Sequence, residues 1–319
     1  MGFTVLGTGM YVPEHTVTND DLSKFLETND EWITQRVGIK ERHICTTETA
    51  ADLAIQAAKN ALENSGLQPE DLDLIIGATV SGDTVCPSMA CYVQAGIGAQ
   101  CPAFDVNAAC SAFIFELETA AGFFARGYKH ILVVGTERMS RVVDWTDRST
   151  AVIFGDGAGA AVLENSDSLY DCVLHVKGGD SVIKIPQSAG NSPFFTGEAE
   201  PPYVQMAGQE TFKFAVNSIC SDVKELLERN DLTLDDVDWI IPHQANKRIL
   251  DTAAKRLKMT PAQAEKIVMN IERYGNTSSA SIPMAMDEYH RAGKIKKGDL
   301  VLLTAFGGGL ASGACLFRF

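Results

Sequence analysis

Three polar residues stand where a chain of buried strands and helices would present them to a ligand. Cys110 lies in the segment PAFDVNAACSAFIFELETA (102–120), where a strand-like run ends near Val106 and an apolar helical run begins about the cysteine. A thiol at a helix N-terminus meets the positive end of the macrodipole, which favours the nucleophilic thiolate. Cysteines are more often small buried hydrophobes, and that reading is kept for most of the other seven, at 45, 86, 91, 101, 172, 220 and 315. His243 follows the run DWII and opens Pro242-His-Gln-Ala-Asn246. The carboxyl end of a buried strand, just before a helix, is where α/β proteins place sites; a hydrogen-bonded loop histidine is the competing reading. Asn276 falls in Glu272-Arg-Tyr-Gly-Asn-Thr-Ser-Ser-Ala-Ser281 and by itself reads as a helix N-cap.

The elements that must position these residues alternate. Leu74–Ile76, Ile131–Val134, Trp239–Ile241 and Leu300–Leu303 are short, continuous apolar runs, the pattern of strands buried on both faces. Residues 49–65, 110–126, 210–228, 246–257 and 280–292 carry helical periodicity. The alternation predicts an α/β fold with largely parallel or mixed sheets. The stretch 184–203, rich in Pro, Gly and Ser, reads as a functional surface excursion.

The chain also repeats itself. Leu62, Glu63, Leu67, Asp71, Asp73, Ile75 and Ile76 recur as Leu227, Glu228, Leu232, Asp236, Asp238, Ile240 and Ile241, a shift of 165 positions. Val5-Leu6 aligns with Val173-Leu174, and ILVVG from Ile131 aligns with LVLLT from Leu300. Asn107 aligns with Asn276, and Cys110 with Ser279. Four blocks in one order at nearly one offset mark a duplication, with halves 1–170 and 171–319. A pseudo-twofold axis would bring the two helix starts together, so that the cysteine comes from one half and the His and Asn from the other. Clefts between halves are favoured small-molecule sites.

Two glycine-rich turns, Phe154-Gly-Asp-Gly157 and Phe306-Gly-Gly-Gly309, read as strand–turn–strand corners whose backbone N–H groups suit a developing oxyanion. Neither matches a dinucleotide or P-loop pattern. In Lys247–Lys258, Ile249, Ala253 and Leu257 form an apolar stripe, and Arg248 and Lys255, seven apart, share an outward face.

Composition narrows the function. The 319 residues are 45% hydrophobic and 21% charged, as in ordinary globular proteins. A net charge of −14 argues against a nucleic-acid partner. No apolar run reaches the roughly 18 residues of a membrane span, and the N-terminus lacks the basic start of a secretory signal. Gly2 is followed by Leu6 where a myristoylation site carries Ser or Thr, so the segment reads as a first strand. The eight cysteines show no CxxC and no zinc-ligand spacing, which predicts a reduced, cytoplasmic protein without a metal site.

These residues carry a likeness over nearly the whole length. Asp30-Glu-Trp-Ile-Thr-Gln-Arg-Val-Gly-Ile-Lys-Glu-Arg-His43, FDVNAACSAF, Thr146-Asp147-Arg148 before IFGDGAGAAVL, IPHQANKRI, ERYGNTSSAS and LLTAFGGG together resemble the β-ketoacyl-ACP synthase III family. The resemblance implies the thiolase fold, two duplicated α/β halves with central mixed sheets in five α-β-α-β-α layers, and a homodimer. It implies a Cys110–His243–Asn276 triad that joins a short acyl-CoA primer, acetyl-CoA first, to malonyl-ACP with loss of CO₂, and no cofactor beyond the substrate-borne CoA and phosphopantetheine. Gly308 would complete an oxyanion hole with Cys110, Phe306 would wall the malonyl group, and Cys86 and Met206 would line the primer pocket. Trp32, Arg36, Arg148, Gly208 and Asn246 would meet CoA. Lys213, Arg248, Lys255 and Arg256 would dock the carrier protein, a local basic patch opposing the acidic whole.

The sequence departs from the family pattern at Leu310-Ala311-Ser312, where an aromatic-containing Gly-Phe-Thr-Trp-Gly stretch is familiar. It also departs at Gln209, where Asn is familiar, and at Cys86, where an aromatic closes the pocket. None is in the triad; they bear on the primer. A thiolase would carry a Cys-x-Gly turn near the C-terminus, and an elongating synthase a second histidine in place of Asn276. A starter-unit enzyme of secondary metabolism shares Cys-His-Asn. A papain-like hydrolase shares the triad but not the duplication.

Overall fold

The computed structural model describes residues 2–187 and 190–319. The chain opens with β1 (Gly2–Tyr11), β2 (Thr16–Thr18), α1 (Asn19–Leu22), α2 (Asp30–Val37) and β3 (Glu41–His43). There follow α3 (Ala50–Ser65), β4 (Leu74–Ala78), α4 (Met89–Ile97), β5 (Ala103–Asp105), α5 (Ala112–Phe124), β6 (His130–Arg138), α6 (Arg148–Ala151) and β7 (Asp156–Ser166). Next come β8 (Tyr170–Gly179), β9 (Ile183–Lys184), β10 (Gln205–Met206), α7 (Gly208–Arg229), β11 (Trp239–Pro242) and α8 (Lys247–Arg256). The chain closes with α9 (Pro261–Ala264), α10 (Ile271–Tyr274), α11 (Ser281–Arg291), β12 (Leu300–Gly307) and β13 (Gly309–Arg318).

Two mixed sheets result. One has the order β1-β7-β6-β4-β5, the other β11-β12-β13-β8. Read from β8, the second repeats the first: β8-β13-β12-β11 matches β1-β7-β6-β4, with two antiparallel pairings followed by a parallel one in each. The duplication seen in the residues is thus a duplication of topology.

Helices α5 and α11 lie between the sheets. Their side chains Phe113, Ile114, Leu117, Ile282, Ala285 and Met286 share one buried cluster with Ile76 and Val133 of the first sheet and Val301 and Leu303 of the second. A helix covered on most sides must be largely apolar, and α5 is so apart from Glu116, which is buried, and Glu118, which reaches solvent. Helices α3 and α4 cover the outer face of the first sheet, and α7 and α8 that of the second. The five layers are α-β-α-β-α, the arrangement of the thiolase fold.

Local chemistry sets the element ends. Thr49 and Asp52 form a capping box at the start of α3. A Cβ on Gly9 of β1 would stand 2.4 Å from Ala57 O and Ala61 N, so strand and helix can approach this closely only with glycine there.

Two expectations need correction. A turn of 3₁₀-helix at Ala109–Ser111 precedes α5, so the α-helix begins two residues past Cys110. Phe154–Gly157 is not a strand–turn–strand corner: it leads from α6 into β7, after an insertion between β6 and β7 that carries Trp145, Asp147 and Arg148. Phe306–Gly309 does turn between paired strands, β12 and β13.

Candidate active site

Cys110 opens onto a cavity of about 960 Å³. The lining includes Ser278, Gly308, Phe115, Met139, Ile183 and Val204. From the described part of the 184–203 excursion, Ile185, Pro186 and Pro202 join the lining, and the strands at its two ends, β9 and β10, pair. Gly307 packs its backbone against the nucleophile, since a Cβ there would fall 2.8 Å from Cys110 N and 3.1 Å from its Cβ. Only glycine admits that approach, which sets the adjoining Gly308 beside the sulfur-bearing turn.

The expected depression of the Cys110 pKa is not found. Burial pushes the thiol up to about 12, and the nearby Glu137 carboxylate adds to the rise. The Ser278 hydroxyl beside it acts in the opposite direction. Removal of water from the sulfur outweighs the turn's N–H dipoles.

His243 comes from the other half, at the end of β11. Its N–H donates to Thr304 O at 2.8 Å, and Nδ1 lies 2.6 Å from Ser281 Oγ. Its ring meets Phe306 edge-on, centroids 5.3 Å apart. Burial lowers its pKa to about 3, so the imidazole is neutral. Gln244 locks the segment: its amide donates to Pro242 O and Val268 O and accepts from the N–H groups of Asn270 and Ile271.

Asn276 is buried. Its backbone bridges to Phe154, and its Oδ1 accepts the N–H of Ser278 at 2.8 Å. The side chain therefore closes a turn onto Ser278 and is not the helix N-cap read from sequence, a place that Ala280 takes for α11; its Nδ2 is left as a donor. The turns Ala109–Ser111 and Ser278–Ala280 touch across the pseudo-twofold. Phe306 and Gly307 link two of the three residues: the first contacts His243 and the second Cys110.

The residues expected to meet CoA and the carrier protein lie outside the cavity lining, on α2, α6, α7 and at α8. Trp32, half-buried on α2, has the Arg148 guanidinium 4.9 Å above its ring and that of Arg36 at 5.8 Å. Asn246 is the N-cap of α8, accepting Arg248 N–H, and Gly208 begins α7. Lys213, Arg248, Lys255 and Arg256 are all exposed on α7 and α8. Arg248 stacks over Phe212, and Arg256 donates to Asn217 across the helix pair. Cys86 is exposed and outside the cavity lining, which stops at Val85, and Met206 of β10 packs in the protein without lining the cavity. No group of three or more metal-ligating side chains occurs among the described residues, and no helix there is long and apolar enough to cross a membrane. All eight cysteines are free.

Sequence reasoning missed Glu137, Ser278 and Ser281. Glu137 is fully buried and accepts from Ser81, Thr79 and Val80 of one half and from Ser279 of the other. The signal was the density of hydroxyls in NTSSAS, just ahead of an apolar helix.

Comparisons with known proteins place the chain in a family. Residues 104–178 match the model of 3-oxoacyl-[acyl-carrier-protein (ACP)] synthase III, and 227–319 that of its C-terminal part. The chain is 45% identical to a β-ketoacyl-[acyl-carrier-protein] synthase III of Clostridium acetobutylicum, over 99% of this chain and 98% of that one. A solved 3-oxoacyl-[acyl-carrier-protein] synthase III from Aquifex aeolicus superimposes with a TM-score of 0.92 at 44% identity, all of both chains being covered. The priming β-ketosynthase of the R1128 polyketide pathway gives a TM-score of 0.92 at 33% identity, over 99% of this chain and 96% of that one.

Proposed function

The chain belongs to the 3-oxoacyl-[acyl-carrier-protein] synthase III family and is an initiating condensing acyltransferase of fatty-acid synthesis, and we propose that Cys110, His243 and Asn276 run its two half-reactions. In the first, the Cys110 sulfur attacks the thioester of a short acyl-CoA, acetyl-CoA foremost. The acyl group moves to sulfur and CoA leaves as its thiol. The backbone N–H groups of Cys110 and Gly308 face the developing oxyanion.

In the second, malonyl-ACP enters the same cavity. His243 and Asn276 donate to its thioester oxygen, which takes up negative charge as CO₂ departs. The edge-on Phe306 keeps the carboxylate dry. The carbanion attacks the acyl-enzyme, giving 3-ketoacyl-ACP and returning the thiol. A neutral imidazole suits the donor role, and burial keeps His243 neutral.

The observation that carries this reading is the meeting of the two turns. Cys110 of one half and Ser278 of the other, whose turn Asn276 holds, line a cavity large enough for a pantetheine-borne acyl group, and buried His243 lies behind Phe306. CoA would lie along Trp32, Arg36, Arg148, Gly208 and Asn246, and the carrier protein on Lys213, Arg248, Lys255 and Arg256. Both substrates bring their own prosthetic arm, so no further cofactor enters. We place the enzyme in the cytoplasm as a homodimer, with halves 1–170 and 171–319; the division of the strands into two like sheets supports that boundary.

Labelled acetyl-CoA tests the reading. Label should settle on the wild type, chase into 3-ketoacyl-ACP when malonyl-ACP is added, and fail to bind Cys110→Ser. Free acetate without an acyl-enzyme, or an adduct persisting on Cys110→Ser, overturns it. A starter condensation in a secondary pathway uses the same site, a reading the likeness to a priming β-ketosynthase favours; the carrier protein that supports turnover separates the two.

A further inference from the structure

An imidazole in a donor role needs its proton on the nitrogen that faces the substrate, and the partner of the other nitrogen decides this. His243 Nδ1 lies 2.6 Å from Ser281 Oγ, both groups being buried. The same oxygen accepts the N–H of Gln244 at 3.3 Å. A serine hydroxyl has one proton. Among the described residues, His243 Nδ1 is the one acceptor paired with it. The hydroxyl proton therefore points at Nδ1, and Nδ1 is the acceptor.

We propose that Ser281 is a positioning residue that holds His243 in the Nε2–H tautomer, so that the ring offers a donor to the malonyl thioester oxygen. The assignment rests on the condensing-enzyme reading above. It also sets what His243 does not do: with Nε2 protonated and the Nδ1 lone pair engaged by Ser281, the ring has no free lone pair to take the Cys110 proton. The rest of the segment is fixed without Ser281. His243 N–H is held by Thr304, and Gln244 by four backbone groups. Loss of the hydroxyl leaves that frame standing and frees only the ring's proton and tilt.

The test reads the tautomer directly. In ¹⁵N-histidine NMR of the acylation-competent wild type, with the His243 signals identified by their loss in His243→Gln, Nε2 should carry the proton. In Ser281→Ala the two tautomers should mix. kcat for condensation should then fall at least about tenfold, with KM for malonyl-ACP and the acylation rate little changed. Ser281→Thr, which keeps the hydroxyl, should recover the wild-type tautomer. A wild type with the proton on Nδ1, or a Ser281→Ala enzyme with tautomer and kcat unaltered, overturns the proposal. A wild type that becomes acylated yet forms no C–C bond defeats the condensing-enzyme reading instead, whatever the tautomer.

Discussion

Ala109 and Ser278 both hold left-handed backbone, at φ 49° and 47°, each one residue before a duplicated position, Cys110 or Ser279. Each is set by the asparagine two residues earlier: Asn107 Oδ1 accepts Ala109 N–H at 3.2 Å, and Asn276 Oδ1 accepts Ser278 N–H at 2.8 Å. The same Asn-x-bend unit therefore launches both central helices, and only one copy carries the thiol. A non-glycine residue in this region costs about 1–2 kcal/mol. Ala109→Gly should keep the melting temperature near wild type, because relief of strain offsets the added freedom of the unfolded chain. Ala109→Val, β-branched in a left-handed bend, should lose several degrees and most acylation. Equal melting temperatures for the two variants would refute the strain.

The neutral state of His243 has a pH signature. Its pKa is about 3 in the fold against 6.5 in the open chain. As pH falls below 6.5, the unfolded chain binds a proton that the native state refuses, so stability is lost between 6.5 and about 3. His243→Gln should flatten that loss in denaturant titrations run at several pH values. It should also cut condensation by roughly 10²- to 10³-fold, the usual cost of one oxyanion donor. A wild-type activity limb near pH 6.5 that disappears in His243→Gln would show a charged imidazole at work.

Arg248 is exposed at the head of α8, over Phe212. Arg248→Glu should raise KM for malonyl-ACP several-fold and more strongly at low salt, while acylation by acetyl-CoA stays the same. An equal penalty with malonyl-CoA as the extender would remove Arg248 from the carrier-protein contact.

Glu116 on α5 is fully buried, and neither carboxyl oxygen has a partner. Burial raises its pKa well above 4.5, so the folded protein keeps it protonated while the unfolded chain ionises. Stability should therefore decline as pH rises above 4.5. Glu116→Leu should be more stable by about 1–3 kcal/mol, the cost of a buried unpaired polar group. The gain should be larger at pH 8 than at pH 5. A destabilised Glu116→Leu would point to a buried partner for the carboxyl.

Cys86 follows Val85 at the rim of the cavity and is smaller than the aromatic familiar there. If its loop closes the pocket of a partner subunit, primers longer than acetyl are accepted, each added methylene gaining at most about 0.8 kcal/mol. Cys86→Phe should then slow butyryl-CoA and branched acyl-CoA selectively. A wild type confined to acetyl-CoA would assign pocket length to other residues.

The alternation of elements and the duplication were legible because each leaves a periodic or repeated mark. Strand β11 and helix α11 follow from apolar spacing alone, and Asn276 from the repeat of Asn107. The nucleophile's protonation was not legible. It depends on how dry the sulfur is, and the walls that dry it come from residues as distant in sequence as Ile183 and Gly308. Ser281 and Glu137 were hidden for a like reason: a hydroxyl or carboxyl acquires its role from a partner more than 30 residues away. Arg148 over Trp32 joins two short helices, α6 and α2, that lie far apart in sequence.

Helices α5 and α11, which the two bends launch, form the middle layer, and both sheets hold them in place. Strands and helices at a surface can detach singly; these two can leave only when the sheets part. Amide exchange along α5 thus reports the opening of the whole molecule. The lifetime of the nucleophile's setting is the lifetime of the fold, and heat takes both together.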